Sequence, residues 1–222
     1  IAHNHANYKF LNEYNNAQSI VKMALTITHQ GYQVMPMGAN KKANWHFIPF
    51  DPSNLDENGN PKKSTNLFIE QNEFPTNQQV IEWCADWRTK GMSLITGLIT
   101  VIDIDVPRFF HMWLACDGVR DILERRRVPL MRSGGGGYQL PFVVDMPNEQ
   151  KPKTSKVAWA KNEEKDEARE IAIEVKGFTQ KMTCTYVMLP HSLHPNGNLY
   201  QELPMFGGSY ANIPMITADE WD

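Results

Sequence analysis

The feature that most constrains this chain is a short apolar stretch with two aspartates, Val101-Ile102-Asp103-Ile104-Asp105. Side chains alternate between the faces of a β-strand, so residues two positions apart share a face, about 6.5–7 Å apart. Asp103 and Asp105 are therefore predicted to project together, while Ile102 and Ile104 point into a core. Burying two carboxylates beside apolar residues costs free energy unless a positive group lies between them. Mg²⁺ or Mn²⁺, which prefer oxygen ligands, fits that position. The open alternative is a strand that ends at the surface with solvated aspartates.

A glycine run lies between two predicted strands, residues 130–133 and 138–144. The motif consists of Arg132, Ser133, Gly134, Gly135, Gly136 and Gly137. Consecutive glycines can turn backbone N–H groups into a concavity that accepts phosphate oxygens, and the arginine and serine would add donors. No Gly-Lys-Ser/Thr follows, so the motif is not a P-loop. Both a phosphate cradle and a flexible hairpin turn fit it.

Two further motifs follow in the second half of the chain. Residues 171–177, IAIEVKG, predict a strand with Glu174 and Lys176 on one face. These two side chains suit a metal ligand and a phosphate partner, or an ordinary solvated face. His191 and His194 lie in a Pro-rich turn, but no cysteine or third histidine is near. We therefore expect no zinc, and assign these residues to a loop or to nucleotide contacts.

Composition narrows the class of protein. The chain has 222 residues, a net charge of −3 and no apolar run near the ~18–20 residues that span a bilayer. An integral membrane protein and a uniformly basic nucleic-acid binder are thereby excluded, whereas a local basic groove is not. Three cysteines without C-x-x-C spacing argue against a disulfide framework. No signal peptide is visible, so we expect a cytoplasmic protein.

Helices and short strands alternate along the chain. Apolar residues recur at helical spacing over 17–30, and residues 32–36 alternate like a strand that Pro36 ends. Thr76 and Gln79 form a capping-box pattern at the start of another helix. Two more helices are predicted over 108–116 and 118–127. This mixture predicts an α+β fold.

The same reading divides the chain into regions. Residues 1–16 are polar and are predicted to be peripheral, and residues 17–205 form the main domain. Within it, residues 146–167 are charged and almost free of large apolar groups, so we interpret them as a loop or insertion. Residues 206–222 are interpreted as a tail that leads to a further domain.

The order of these motifs resembles a known family. The chain carries "GYQVMPMG", "VIDID", "RSGGGG", "IEVKG" and "YVMLPHSLHPNGNLYQ" in that order. Over residues 17–205 it resembles the primase–polymerase (Prim-Pol) domain of the archaeo-eukaryotic primase superfamily. The resemblance is to the bifunctional type found in plasmids, phages and mobile elements. It implies an α/β unit packed on a module similar to an RNA-recognition motif, with the active site in the cleft between them.

The resemblance also implies roles for individual residues. Asp103, Asp105 and Glu174 match the catalytic metal ligands of a site for two Mg²⁺ or Mn²⁺ ions. Ser133 matches the serine that contacts the phosphates of the incoming nucleotide. The other residues assigned to nucleotide binding are Arg132, the four glycines 134–137, Gln139, Lys176 and His191.

Position 139 departs from the family. Members usually carry a histidine after the glycine run, whereas this chain has Gln139 after Tyr138. Glutamine can donate a hydrogen bond to phosphate, but it cannot carry a positive charge near neutral pH. The nucleotide pocket is therefore altered, weakened or assisted by Arg132 or Lys176, or the domain is inactive.

The resemblance implies a DNA primase/polymerase that adds NTPs or dNTPs to a 3′-hydroxyl on a single-stranded DNA template. Its expected partners are template, primer and a fused or associated helicase, in the cytoplasm of a bacterium, an archaeon or a phage-infected host. The candidate DNA contacts are Arg125, Arg126, Arg127, Lys151, Lys153 and Lys156, through phosphates rather than bases. Two alternatives are a catalytically degenerate nucleotide-binding or nucleic-acid-binding module of a replication initiator, which Gln139 favours, and a metal-dependent nuclease, which the glycine run disfavours.

Overall fold

The structure, a computed structural model, describes residues 2–64, 74–161, 169–179 and 184–221. Its helices are α1 (Ala2–His29), α2 (Asn77–Ala85), α3 (Pro107–Leu114), α4 (Val119–Arg125) and α5 (Ala218–Trp221). Its strands are β1 (Val34–Met37), β2 (Phe50–Leu55), β3 (Pro61–Lys63), β4 (Gly91–Ile95), β5 (Thr100–Ile104), β6 (Leu130–Arg132), β7 (Tyr138–Asp145), β8 (Ser155–Lys161), β9 (Arg169–Lys176), β10 (Tyr186–Met188), β11 (Gln201–Leu203) and β12 (Met215–Thr217).

The strands form two main sheets and a hairpin. The smaller sheet has the order β1-β4-β10, and the larger sheet has the order β11-β6-β7-β5-β9-β8, with β12 parallel to β7. Strands β2 and β3 pair with each other. Strand β5 is antiparallel to both of its neighbours, β7 and β9. The strand that carries the two aspartates therefore lies inside the larger sheet.

Two hydrophobic cores cover the two faces of the larger sheet. One core joins α1, α2 and the smaller sheet to Val101, which is fully buried. The other core packs α3 and α4 against the opposite face, where Ile104 is fully buried. Residues 101 and 104 thus point in opposite directions, as the alternation of a strand predicts. The fold is mixed α+β, as predicted, while packing of an α/β unit on an RNA-recognition-like module stays a prediction.

Several local predictions are confirmed. The capping box is present, since Thr76 Oγ1 accepts from the Gln79 N–H at 3.2 Å and the Gln79 side chain accepts from the Thr76 N–H at 2.8 Å. Helices α3 and α4 begin within one residue of the predicted starts, 108 and 118, and each ends two residues before the predicted ends, 116 and 127. Within the described ranges, no helix has the length and apolar character that a membrane span requires.

Other boundaries were predicted wrongly. Helix α1 begins at Ala2, so residues 2–16 belong to the helix that was predicted to start at residue 17. The polar sequence of residues 2–16 has no apolar period, so periodicity did not predict a helix there. Pro36 lies inside β1 rather than ending it. A proline is tolerated there because β1 is an edge strand, on which one N–H can go unpaired.

The charged segment 146–167 is not only a loop. It contains β8, whose side chains are mostly exposed and therefore give no apolar signal; residues 162–167 lie outside the described part of the chain. The predicted tail, 206–222, is also folded where it is described, because Phe206 and Ile216 are buried in the second core and β12 pairs with β7.

Ser192 ties the loop after β10 to the smaller sheet. Its hydroxyl donates to the Met92 carbonyl oxygen at 3.0 Å and accepts from the Met92 N–H at 3.1 Å, and Ser192 is fully buried. Gly91 is required beside it, because a Cβ atom at position 91 would lie 2.4 Å from the Ser192 Cβ. The serine of the "PHS" sequence therefore has a structural role.

We predict that Ser192→Ala lowers the free energy of unfolding by about 1–3 kcal/mol, because the buried Met92 N–H loses its acceptor. Urea denaturation followed by circular dichroism measures this change. The exposed Ser155→Ala, as a control, should stay within about 0.5 kcal/mol of the original protein. Equal stability of the two variants would contradict this role.

Candidate active site

Three of the predicted residues meet on one face of the larger sheet. Asp103 of β5 lies opposite Gln139 of β7 on one side and opposite Glu174 of β9 on the other. Asp105 follows the end of β5, and its N–H donates to the Ala172 carbonyl oxygen at 3.1 Å. Directly opposed residues on antiparallel strands have Cβ atoms about 4.5–5.5 Å apart. The sheet register therefore brings Asp103, Gln139 and Glu174 together.

A lysine is the positive group between the carboxylates. Lys176 Nζ lies 2.7 Å from Glu174 Oε2 and 3.4 Å from Asp103 Oδ2. Burial raises the pKa of Asp103, and Lys176 opposes that rise. Burial acts to lower the pKa of Lys176, but its attraction to Asp103 and Glu174 outweighs burial and raises it. Burial also raises the pKa of Asp105, against the attraction of Lys176 and Lys41.

Gln139 holds the other side of Asp103. Its Nε2 donates to Asp103 Oδ1 at 3.0 Å, and an ionised carboxylate can only accept, so this contact fixes which end of the amide faces Asp103. The Gln139 Oε1 atom is buried and has no hydrogen-bond partner among the described residues. An unpaired buried acceptor costs free energy unless a ligand, an ion or water meets it.

The site opens into a cavity of about 400 Å³, within the range of small-molecule sites. The larger sheet contributes Asp103, Asp105, Gln139 and Lys176 to its wall. The remaining lining residues are Lys41, Thr185, Tyr186, Val187, Met188 and Tyr200. Both sheets thus contribute to one polar cavity. The sequence did not assign Lys41, Thr185 or Tyr200 to the site, because only the pairing of distant segments brings them there.

The types of ligand atom in the site suit a metal ion, but their arrangement does not. Carboxylate oxygens from Asp103, Asp105 and Glu174, with the Gln139 Oε1 atom beside them, are the hard ligands that Mg²⁺ and Mn²⁺ prefer. However, in the described part of the chain no three His, Cys, Asp or Glu side chains are grouped as a metal ion requires. Lys176 lies between two of the carboxylates. The types of ligand atom therefore suit a divalent cation, whereas their arrangement, with Lys176 paired to two of them, does not form a metal site.

The glycine run forms a tight, hydrogen-bonded turn between β6 and β7. The Ser133 N–H donates to the Gly137 carbonyl oxygen at 2.8 Å, and the Gly137 N–H donates to Ser133 Oγ at 3.0 Å. Glycine is required at 137, because a Cβ atom there would lie 2.5 Å from the Ile104 carbonyl oxygen. The structure thus shows the hairpin turn, and the Ser133 hydroxyl already has a donor.

Arg132 lies on the other face of the sheet from the carboxylates. In the sheet Arg132 is opposite Tyr138, which is in turn opposite Ile104. Asp103 is opposite Gln139, the next residue of β7, and neighbouring residues of a strand point to opposite faces. With the glycine turn it lines a separate cavity of about 270 Å³. The structure therefore does not bring Arg132 into contact with Asp103.

The two histidines follow β10 and pack differently. The His191 N–H donates to the Tyr200 carbonyl oxygen at 2.8 Å, and burial lowers the pKa of the His191 side chain. His191 does not line the carboxylate cavity. His194 packs on the glycine turn, where a Cβ atom at Gly134 would lie 2.3 Å from its own Cβ. His194 Nδ1 accepts from the Asn196 N–H at 3.3 Å, a contact that sequence alone did not indicate.

The three arginines predicted to contact DNA have partners within the chain. Arg125 and Arg126 both donate to Glu220, at 2.7 and 2.9 Å, and Arg127 donates to the Gly207 carbonyl oxygen at 3.0 Å. The hydrogen bond from Arg126 is the main reason that the pKa of Glu220 falls to about 2. Arg125 and Arg126 thus anchor helix α5, and Arg127 anchors the loop at Gly207.

The three lysines predicted to contact DNA divide into two kinds. Lys151 is buried and donates to the Val144 carbonyl oxygen, so it has a structural role. Lys153 and Lys156 each lie over an aromatic ring, 5.5 and 5.1 Å from its centroid. Lys156 is also opposite Glu174 in the sheet, next to the carboxylate cluster.

The sequence matches the family described as bifunctional DNA primase/polymerase, N-terminal (Prim-Pol), over residues 24–215. The chain belongs to this family, as its motif order predicted. Family membership suggests DNA primase/polymerase activity, of the nucleotidyltransferase type, in DNA replication. Comparison with curated protein sequences finds no match.

We predict that Lys176→Met lowers the free energy of unfolding by about 1–3 kcal/mol at pH 7, because Asp103 and Glu174 lose their buried counter-charge. Without that cation the pKa of Asp103 rises further, so the folded state binds more protons than the unfolded chain. Stability of the variant should therefore increase, relative to the original protein, as the pH falls from 7 towards 5.

Urea denaturation at both pH values measures this dependence. Lys176→Arg keeps the charge and should lose less stability, and the exposed Lys62→Met should show little effect at either pH. A deficit that is the same at pH 7 and pH 5 would contradict the assigned charge balance.

Proposed function

We propose that this chain is the catalytic module of a template-dependent DNA primase/polymerase. It would join nucleotides to a 3′-hydroxyl along single-stranded DNA. The observation that carries the proposal is the position of Asp103, between Gln139 and Glu174 on the wall of a polar cavity of about 400 Å³. Family membership supports the class of reaction.

Asp103, Asp105 and Glu174 would hold two divalent cations. When bound, Mg²⁺ or Mn²⁺ would supply Lewis-acid stabilisation of the 3′-oxygen and of the leaving pyrophosphate. The β5-β9 pairing, which sets Asp103 opposite Glu174 with Asp105 two residues further on, supports this assignment. Lys176 neutralises them before the ions arrive, which lowers the cost of their burial.

Lys176 would then be available for the triphosphate. An ammonium group displaced from Asp103 and Glu174 has three donors and remains in the same cavity. Lys41 lies on the wall of that cavity and adds a second positive charge. The glycine turn with Ser133 and Arg132 lines the separate cavity of about 270 Å³, so its contact with a nucleotide stays a prediction.

A second candidate function is a nucleotide-binding or nucleic-acid-binding module without catalysis. The Lys176 contacts favour it, because they occupy oxygens of Asp103 and Glu174 that a metal ion would need. Gln139 favours it as well, because it cannot supply the charge of a histidine. The two functions differ in metal dependence. A polymerase should bind nucleotide far better with Mg²⁺ or Mn²⁺, whereas a degenerate module should bind equally well with a chelator.

We predict that Asp103→Asn and Asp105→Asn each reduce primer extension by more than about 100-fold. The loss of an outer-shell partner alone typically costs about 10–100-fold, so the loss of a ligand should cost more. Extension of a labelled primer on a single-stranded template, with dNTPs and with NTPs and in Mn²⁺ or Mg²⁺, measures this effect.

Asp117→Asn is the matched control, since Asp117 is exposed and lines a cavity on the opposite face. It should extend the primer at the original rate. If Asp103→Asn retained extension, the proposed catalytic role would be wrong. If the original protein bound nucleotide but did not extend the primer, the binding module would be the better function.

We predict that Gln139→His makes nucleotide affinity dependent on pH. A histidine here would become positively charged as the pH falls through about 6.5, and would then attract the triphosphate. The dissociation constant for a dNTP with Mn²⁺ should fall between pH 8 and pH 6 in the variant, relative to the original protein.

Gln139→Leu is the control, because it cannot titrate and cannot donate to Asp103. Isothermal titration calorimetry measures the affinity of all three proteins. The same pH dependence in Gln139→His and Gln139→Leu would show that position 139 does not face the triphosphate.

A further inference from the structure

The turn that follows β1 carries a strained residue. Asn40 and Lys41 both have a φ angle of 57°, in the left-handed region of the backbone. Asparagine tolerates this region because its short polar side chain can hydrogen-bond locally, whereas lysine adopts it only at a cost in free energy. Such strain persists only where the surrounding structure fixes it, and it is common at sites that hold a ligand. Lys41 is therefore a candidate for a functional role.

Backbone contacts on both sides of Lys41 fix this turn. The Gly38 N–H donates to the Lys42 carbonyl oxygen at 2.7 Å and so closes the turn. Just beyond it, the Asn44 N–H donates to the Pro36 carbonyl oxygen at 2.9 Å, and Asn44 is buried. The turn is thus anchored to β1 before and after the strained residue. Lys41 is held in the left-handed conformation by these contacts.

The strained residue is the one that reaches the carboxylate cavity. Lys41 lines the cavity of about 400 Å³ together with Asp103 and Asp105, although it follows a strand of the smaller sheet. Its positive charge acts to lower the pKa of Asp105, against the effect of burial. The neighbouring Lys42 is also exposed, but it has an extended backbone and does not line this cavity. The left-handed conformation therefore accompanies the residue that faces the site.

The two lysines of the cavity differ in what holds their ammonium groups. Lys176 lies 2.7 Å from Glu174 and 3.4 Å from Asp103. Lys41 is exposed, and among the described residues its ammonium group has no hydrogen-bonded or ion-paired partner. An ammonium group is a compact point charge with three donors, which suits phosphate oxygens and does not read the shape of a base. Lys41 can therefore receive an anion without first giving up a contact.

We propose that Lys41 binds the phosphates of the incoming nucleotide, and that the strained turn after β1 holds it in place for that contact. The nucleotide then bridges the two sheets, because Lys41 follows β1 of the smaller sheet and Asp103 lies on β5 of the larger one. This inference rests on the proposed function, since it assigns a residue to the substrate of that site. The strain is the cost of placing a positive charge at the mouth of the cavity.

The test compares Lys41→Ala with Lys42→Ala, which removes the same charge from the next residue. Isothermal titration calorimetry of the full chain with dTTP and Mn²⁺ measures the affinity. We expect Lys41→Ala to weaken binding by roughly 10- to 100-fold, the usual effect of a hydrogen bond between charged groups. Lys42→Ala should change it by less than about twofold, and Lys41→Arg should retain most of the affinity. Inorganic triphosphate should compete with dTTP, and in Lys41→Ala it should do so only at a correspondingly higher concentration.

A second measurement tests the strain itself. Glycine adopts the left-handed region freely, whereas alanine does not, so Lys41→Gly should have a higher urea midpoint than Lys41→Ala. At position 42, where φ is −94°, the order should reverse, and Lys42→Gly should have a lower midpoint than Lys42→Ala. Lys41→Gly should bind dTTP as weakly as Lys41→Ala does. The same order of midpoints at both positions would contradict the strained turn and overturn the inference.

The outcomes distinguish this inference from the proposed function. If Lys41→Ala bound dTTP as the original protein does, while the original protein extended primers, the role of Lys41 alone would be wrong. If the original protein bound dTTP through Lys41 but did not extend primers, the phosphate contact would stand and the polymerase function would fail. Equal weakening in Lys41→Ala and Lys42→Ala would reflect the overall charge of the turn and would overturn the inference.

Discussion

The contact on which this site depends is the ion pair of Lys176 with Asp103 and Glu174. The register of three antiparallel strands forces two acidic side chains together on one sheet face, next to a hydrophobic core. Buried charges of one sign are stable only with a counter-charge and hydrogen bonds. Lys176 supplies the charge, and Gln139 supplies a hydrogen bond to the remaining oxygen of Asp103. The fold can therefore keep Asp103 and Glu174 close together through these contacts.

Much of this arrangement follows from the sequence because it depends on the period of a strand. Alternation alone predicted that Asp103 faces away from Ile104, and Ile104 is indeed buried in the opposite core. The same alternation put Glu174 and Lys176 on one face of their strand, and both contact the same cluster. Alternation does not indicate which strand pairs with which, or which residues of the two strands are opposite each other. The sequence therefore named Lys176 as a phosphate partner and did not show that it pairs with Asp103.

The failures have physical reasons too. Strand β8 has mostly exposed side chains, so its place in the sheet depends on backbone hydrogen bonds that leave no apolar pattern. The sequence of the first half of α1 also has no apolar period, so periodicity did not predict a helix there. Arg132 was assigned to nucleotide binding, and the pairing of β6 with β7 puts it on the face opposite to the aspartates, which the sequence did not indicate. A hairpin fixes which residues face each other only once its turn is known.

The charges around the cavity also bear on how a nucleotide would bind. Three carboxylates, Asp103, Asp105 and Glu174, face two ammonium groups, Lys41 and Lys176, which leaves one net negative charge. A nucleotide triphosphate carries several negative charges, so it would enter against this field unless divalent cations came with it. A binding module that works without metal would first have to separate its lysines from its carboxylates. Binding together with divalent cations would avoid that cost, because cations held by the carboxylates would also free Lys176 for the phosphates.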